Sequence, residues 1–302
     1  MRFENLRGAL ASSLRRLQYA RPVDVIGEDW DTLIILDACR YDSLRRLNPF
    51  DANIESRISP ASTSHRYLKS QFGGRELHDT VYVTANPFVG QLDDDVFHAT
   101  ISVLDDWDEE LQTVRPESVV ERVEAIFPKY QDKRLIVHFM QPHQPYLGPT
   151  GDAIRERISE RGARRGWDPS LRTDDNHESF LHGITELQAA QSPDIEVTPE
   201  DIHDAYHESL AIVLDSVHEL VGIVDDKTVI TADHGEMLGE RRFGRLQFGH
   251  PAFSVARELL LIPWVVLDGE RREITADRPQ RYDVASEIDE KLTALGYTPG
   301  EI

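Results

Sequence analysis

Five short apolar runs recur along the chain, at Thr32 to Leu36, Thr80 to Thr84, Leu135 to Met140, Thr228 to Ala232 and Trp264 to Leu267. Each is rich in branched side chains and almost free of charge, the pattern of strands buried on both faces of a sheet. Helical periodicity runs from Glu117 to Phe127, from Pro199 to Val224 and from Asp283 to Leu295, where Gly296 supplies a C-terminal stop. This alternation predicts an α/β domain whose sheet is covered on both sides. The stretch from Gly148 to Thr198 breaks the pattern, being charged, rich in Arg, Asp and Gly, and poor in apolar periodicity. It reads either as an insertion that forms a lid or as a long surface loop. The chain thus divides into an N-terminal segment, residues 1–22, and one domain, residues 23–302, carrying an insertion at about 148–198.

The N-terminal segment has its own pattern. Phe3, Leu6, Leu10, Leu14 and Leu17 fall at helical spacing, with Arg2, Arg7, Arg15, Arg16 and Arg21 elsewhere on the turn. A basic amphipathic helix of this kind suits an anionic membrane surface, and equally an acidic face of its own domain. No stretch reaches the about 18 apolar residues of a transmembrane helix, and the start lacks the apolar centre of a signal peptide. The expectation is a cytoplasmic protein, peripheral at the inner membrane face if the helix docks there.

Charge narrows the partners. The 302 residues carry 54 Asp plus Glu against 33 Lys plus Arg, a net charge of −21, and only five of the basic residues are Lys (Lys69, Lys129, Lys133, Lys227 and Lys291), leaving 28 Arg. A dense carboxylate surface with Arg over Lys points to a halophile, in which self-repulsion is screened by molar salt; an ordinary acidic protein is the plainer alternative. Either way nucleic acid is excluded as a natural ligand. The single cysteine, Cys39, rules out an intrachain disulfide and a Cys-rich zinc module, and reads as a small packing residue.

Three of the apolar runs end at residues capable of chemistry, and open α/β sheets bind ligands beyond the carboxyl ends of their strands. Asp233-His234-Gly235-Glu236 closes the run that ends at Ala232, and the adjacent carboxylate and imidazole can turn to one cation, or merely cap a helix and reach solvent. Asp37 closes the run that ends at Leu36, where a carboxylate is costly unless paired or metal-bound. Arg40 could neutralise it or contact a substrate oxyanion. Ser62, Thr63 and Ser64 precede a helical pattern, where a hydroxyl can attack an anionic centre or simply cap the helix. His143, between Pro142 and Gln144-Pro145, is held at a strand end, where it could donate to a leaving oxygen or bind metal. His138, inside the strand, is a substrate contact or a core histidine, and His250, in Gly249-His250-Pro251, is a ligand, a phosphate contact or a surface turn.

In this order, Asp37, the hydroxyl cluster, His143-Gln144-Pro145-Tyr146, Asp233-His234-Gly235-Glu236 and Gly249-His250 resemble the sulfatase-like branch of the alkaline-phosphatase superfamily, of a haloarchaeal type. The resemblance runs from Asp37 to about Pro263, and Leu292 to Tyr297 is similar to the closing helix of many members. It implies a three-layer α/β/α sandwich with a largely parallel central sheet. It implies a divalent cation on Asp37, Asp233 and His234, a nucleophile among Ser64, Thr63 and Ser62, and His250 and His143 on substrate oxygens or a second cation. Arg40, Arg66 and His138 are the remaining substrate-binding candidates. Carboxylate plus imidazole suits Zn²⁺ or Mn²⁺, with Mg²⁺ and Ca²⁺ also open.

No Cys or Ser here is followed by x-Pro-x-Arg, so the resemblance does not extend to formylglycine sulfatases. The single Asp of the first motif is similar to the one-metal site of phosphoglycerol and phosphoethanolamine transferases. The implied activity is hydrolysis or transfer of a phosphate or sulfate ester, phosphate ahead, on an anionic substrate such as a glycan or lipid. A catalytically silent member that binds such a headgroup is the alternative, and a phosphomutase would need more metal ligands than these.

Overall fold

The structure, a computed structural model, describes residues 21–160, 184–242 and 244–280. The expected basic helix at residues 1–20, the helical pattern from Asp283 to Leu295 and the similarity at Leu292 to Tyr297 lie outside the described residues.

The described strands are β1 (Thr32–Asp37), β2 (Ile54–Ile58), β3 (Leu77–Thr84), β4 (Phe97–Ser102), β5 (Trp107–Asp108), β6 (Thr113–Val114), β7 (Arg134–Pro142), β8 (Thr228–Ala232), β9 (Met237–Arg242), β10 (Arg245–Gly249) and β11 (Leu261–Leu267). Seven of them form one sheet in the order β2, β11, β8, β1, β7, β3, β4. β8, β1, β7, β3 and β4 run parallel, while β11 runs antiparallel to β8 and β2. All six residues of β1 are buried, as are all five of β8, because both lie in the middle of the sheet. Each of the five apolar runs is one of these strands. β2 and β4 gave no such run because they are the edges. β4 alternates Phe97, Ala99 and Ile101 with His98, Thr100 and Ser102, and β2 leaves Glu55 and Ser56 exposed.

The helix Pro199–Val224 is the main cover of one face. Thr198 caps it by accepting from the Asp201 amide at 3.1 Å, while Asp201 accepts from the Thr198 amide at 2.8 Å, and Pro199 opens the first turn. Its buried stripe includes Ile202, Tyr206, Leu210, Val213, Val217 and Leu220, and it packs on β7 and on the helices Pro116–Ile126 and Pro149–Glu160. The opposite face carries the helix Ser64–Gln71, where the rings of Tyr67, Phe72, Tyr82 and Phe97 pack edge-on or tilted at centroid separations of 5.0 to 6.2 Å. No helix among the described residues is long and apolar enough to cross a membrane.

Part of the expected insertion is well packed. Pro149–Glu160 is a helix that buries Ile154 and Ile158, and its buried Arg155 donates to Glu186 Oε1 at 2.8 Å and to the Tyr146 carbonyl at 2.6 Å. Glu186 opens the short helix Glu186–Ala189. A surface loop is therefore the wrong description of these two pieces. Their apolar signal is a single i,i+4 pair, and the rest of the burial is an ion pair that looks like surface charge in the sequence. Residues 161–183 lie outside the described residues.

Because β1, β7 and β8 are parallel neighbours, their carboxyl ends meet at one edge. The register between β1 and β7 shifts at Leu36 and Asp37, so that Asp37 lies beside Pro142 and its carbonyl accepts from the His143 amide at 3.1 Å. The chain then turns at Ala38, in the left-handed region at φ 60°, a costly conformation for any residue with a Cβ. Tyr206 holds that turn, its hydroxyl donating to the Ala38 carbonyl at 2.9 Å and accepting from the Arg40 amide at 2.8 Å. Replacing Tyr206 by Phe strands both buried backbone groups, and a loss of about 1–3 kcal/mol is expected in denaturant titrations of the folded protein.

Candidate metal centre and active site

Ser64 is the first residue of its helix, so its hydroxyl lies at the positive end of the helix dipole. The hydroxyl contacts Asp37 Oδ2 at 3.1 Å and His234 Nε2 at 3.1 Å. His234 Nε2 is also 3.7 Å from Asp37 Oδ1 and 3.4 Å from Asp233 Oδ2. All four side chains are buried, with Ser64, Asp233 and His234 at 0% exposure and Asp37 at 1%.

The remaining hydrogen bonds orient this cluster. His234 Nδ1 lies 2.8 Å from the Gly235 carbonyl, which can only accept, so Nδ1 carries the proton and Nε2 presents its lone pair to Ser64 and the carboxylates. Asp233 Oδ1 accepts from the Ala38 amide at 3.1 Å and the His234 amide at 2.7 Å, and Asp37 Oδ2 accepts from Asn86 Nδ2 at 2.8 Å. Ser59 donates its hydroxyl to the Asp233 carbonyl and so ties the segment leading to Ser64 to the β8 loop. Gly235 is required there because a Cβ would collide with the carbonyl oxygen of Glu258.

The other oxygens, Asp37 Oδ1 and Asp233 Oδ2, are buried and make no hydrogen bond. Burial, then the charge of Asp233, pushes the Asp37 carboxyl well above the usual range. Orphaned carboxylate oxygens, an imidazole lone pair and a hydroxyl converging in an apolar setting fit a divalent cation. His138 lies at the edge of the same group. Its Nδ1 is 2.8 Å from the Tyr82 hydroxyl, and Nε2, without a hydrogen bond, lies with carboxylate oxygens of Asp37 and Asp233 inside a 4.8 Å span. Burial lowers His138 to about 4, so it is neutral near pH 7.

A second cluster borders the first. His143 Nε2 and His250 Nε2 are 2.9 Å apart, and the His250 ring lies 4.5 Å from that of His234. His143 Nδ1 is 2.5 Å from the Gln144 carbonyl, so a neutral His143 accepts at Nε2 and His250 donates the shared proton. Glu236, fully buried, has both carboxylate oxygens without a hydrogen bond and lies within ligand range of both histidines. Burial raises its pKa well above the usual range and lowers that of His143 to about 4.

Ser64, Asp37, Asp233, His234, His138, His143 and His250 are thus brought together, whereas Ser62, Arg66 and Arg40 are engaged elsewhere. The Ser62 hydroxyl donates to the Pro251 carbonyl at 2.9 Å, and the Arg66 guanidinium lies 3.6 Å over the Phe253 ring. Arg40 pairs with Asp42 at 2.8 Å and with Glu240, not with Asp37, because its side chain passes behind the Gly235 turn. Thr63 precedes the helix and makes no side-chain cap bond. Asn86, Glu236 and Tyr206 were not among the candidates. Asn86 stands two residues past the run Thr80 to Thr84, so the strand-end rule applied to β3 would have found it. Tyr206 had no signal beyond its place on a buried helical stripe.

Replacing Asn86 by Ala should lower divalent-metal affinity about 10–100-fold, read by chelator competition. Affinity should also fall as pH is lowered. Asp37 holds its proton to higher pH than an ordinary carboxyl, and binding must release it, so acid competes with the metal.

No family model matches the chain, and no curated protein matches it. Solved structures similar to it include the soluble domain of lipooligosaccharide phosphoethanolamine transferase A from Neisseria meningitidis, at 13% identity and a TM-score of 0.49, covering 78% of this chain and 75% of that one. The periplasmic domain of EptC from Escherichia coli, in complex with Zn, is also 13% identical with a TM-score of 0.49, covering 83% and 77%. The lipoteichoic acid synthase LtaP from Listeria monocytogenes is 12% identical with a TM-score of 0.44, covering 89% and 72%. These likenesses are at 12–13% identity, and this chain's own fold is mixed α/β with a mostly parallel central sheet.

Proposed function

We propose that the protein is a metal-dependent hydrolase or transferase of phosphate or sulfate esters, phosphoesters first, with Ser64 as the nucleophile. The observation that carries this reading is the Ser64 hydroxyl held between Asp37 and His234 at a helix N-terminus, beside two buried carboxylate oxygens that make no hydrogen bond. Asp37, Asp233, His234 and Ser64 would hold the cation, Zn²⁺ or Mn²⁺ by donor type, and a bound cation supplies charge stabilisation and a lower pKa for the hydroxyl.

The chain's own groups account for the rest. Ser64 Oγ forms a bond to phosphorus or sulfur as the bond to the leaving oxygen breaks, the Ser64 proton passes to Asp37 Oδ2, and the leaving oxygen takes a proton from water. Water or an acceptor hydroxyl then attacks the phosphorus or sulfur as its bond to Ser64 Oγ breaks, Asp37 returns its proton to Oγ, and the attacking oxygen gives up its proton to the hydroxide left by the first step. The helix N-terminus stabilises the negative ester oxygens, and the His143–His250 pair donates its shared proton as a hydrogen bond to them. The ester in this reading is carried on a glycan or lipid.

The test is an assay in molar KCl with Mn²⁺ or Zn²⁺ against chromogenic phosphomonoester, phosphodiester and sulfate ester substrates. Wild type should turn over one class, Ser64→Ala and Asp233→Asn should lose roughly 10³-fold or more, and Ser62→Ala and Thr63→Ala should remain active. Metal binding without turnover of any class would overturn the enzyme reading in favour of a protein that only binds anionic headgroups.

A further inference from the structure

Apart from the metal centre, a cavity of about 540 Å³ opens between the helices Tyr41–Leu47 and Arg257–Leu260. Four arginines line it, Arg40, Arg45, Arg46 and Arg257, against two acids, Asp42 and Glu258. Both acids are already engaged, Asp42 with Arg40 at 2.8 Å and Glu258 with Arg242 at 2.5 Å. Arg45, Arg46 and Arg257 therefore face the cavity with no acidic partner among the described residues. In a chain with 54 acids to 33 bases, three such arginines around one cavity are a local excess of positive charge; Arg57, Arg75, Arg115 and Arg122 each find a carboxylate within 3.1 Å.

The cavity is also partly organised. The Arg45 guanidinium donates to the Tyr41 hydroxyl at 3.2 Å and lies 5.8 Å from the centre of its ring, which limits its rotamers. Arg40, buried between Asp42 and Glu240, forms the floor. None of the groups facing Ser64 lines the cavity.

We propose that this cavity is a second anion site, which takes a compact ligand carrying two or more phosphate or sulfate groups. Guanidinium forks match the oxygens of both groups bidentately, and arginines from two separate helices suit a ligand with more than one anionic group better than a lone ion. The volume is that of a small-molecule site. The proposal stands independently of the chemistry at Ser64.

The test is calorimetric titration of tripolyphosphate and of a multiply sulfated disaccharide into the Asp233→Asn variant with chelator present. That removes the metal centre as a competing site, and the ionic strength is the lowest at which circular dichroism shows the fold intact. One equivalent of either ligand should bind, more weakly as salt is added, and the tighter ligand identifies the anionic group. Adding Arg46→Glu and Arg257→Glu should weaken it by about tenfold or more, whereas Arg46→Lys and Arg257→Lys should weaken it less. Should the charge-reversed protein unfold, Arg46→Ala with Arg257→Ala replaces it. Absence of saturable binding by both ligands, or equal binding by the folded Arg46 and Arg257 variants, would overturn the proposal.

Discussion

Asp37 and Asp233 are buried side by side at the carboxyl edge of an apolar sheet, and the rest of the site is arranged around that constraint. Two carboxylates out of water, with Glu236 also buried nearby, would repel one another and forfeit hydration unless something compensates them. Arg40 does not do so, because it is committed to Asp42 and Glu240. Backbone amides and Asn86 satisfy one oxygen of each carboxylate and leave the other aimed inward. Such a cluster is stable as a protonated pair or as a cation site. The lone pair of His234 and the hydroxyl of Ser64 extend the donor set that the second state requires.

That arrangement depends on supports outside the cluster. The left-handed turn at Ala38 aims its amide at Asp233, and the turn persists because Tyr206, from a helix on one face of the sheet, ties down both sides of it. The helix Ser64–Gln71 on the opposite face supplies the hydroxyl. The site is therefore a joint between the two helical layers, made across the strand ends. A small displacement of either layer would separate Ser64 from Asp37, which is the reason such sites tolerate little motion.

The two histidine clusters differ in kind. His234 is tied to the Gly235 carbonyl and faces the carboxylates, whereas His143 and His250 are joined to each other through one shared proton. Burial lowers the pKa of His143 and of His250, so neither carries a charge that would oppose a cation alongside. Ser62 and Arg66, candidates for chemistry on sequence grounds, instead clamp the loop that carries His250 through Pro251 and Phe253.

The sequence by itself determined the strands, the long helix and the edge at which chemistry would sit, because central parallel strands must be apolar throughout and their ends are where polar residues first become affordable. Asp37, Asp233, His234 and His143 stood out as candidates for that reason, and His250 through its place between Gly249 and Pro251. Edge strands were not legible, since one solvated side relaxes the pattern, and neither was the packed helix Pro149–Glu160, whose burial rests largely on the Arg155–Glu186 pair. Only the tertiary structure set Ser64 against Asp37 and His234 and Ser62 on the Pro251 carbonyl, turned Arg40 away from Asp37, and brought Asn86, Glu236 and Tyr206 to the cluster. Those outcomes depend on side-chain direction and on contacts between residues far apart in the chain, such as Ala38 with Asp233, 195 residues away, and local sequence does not encode either.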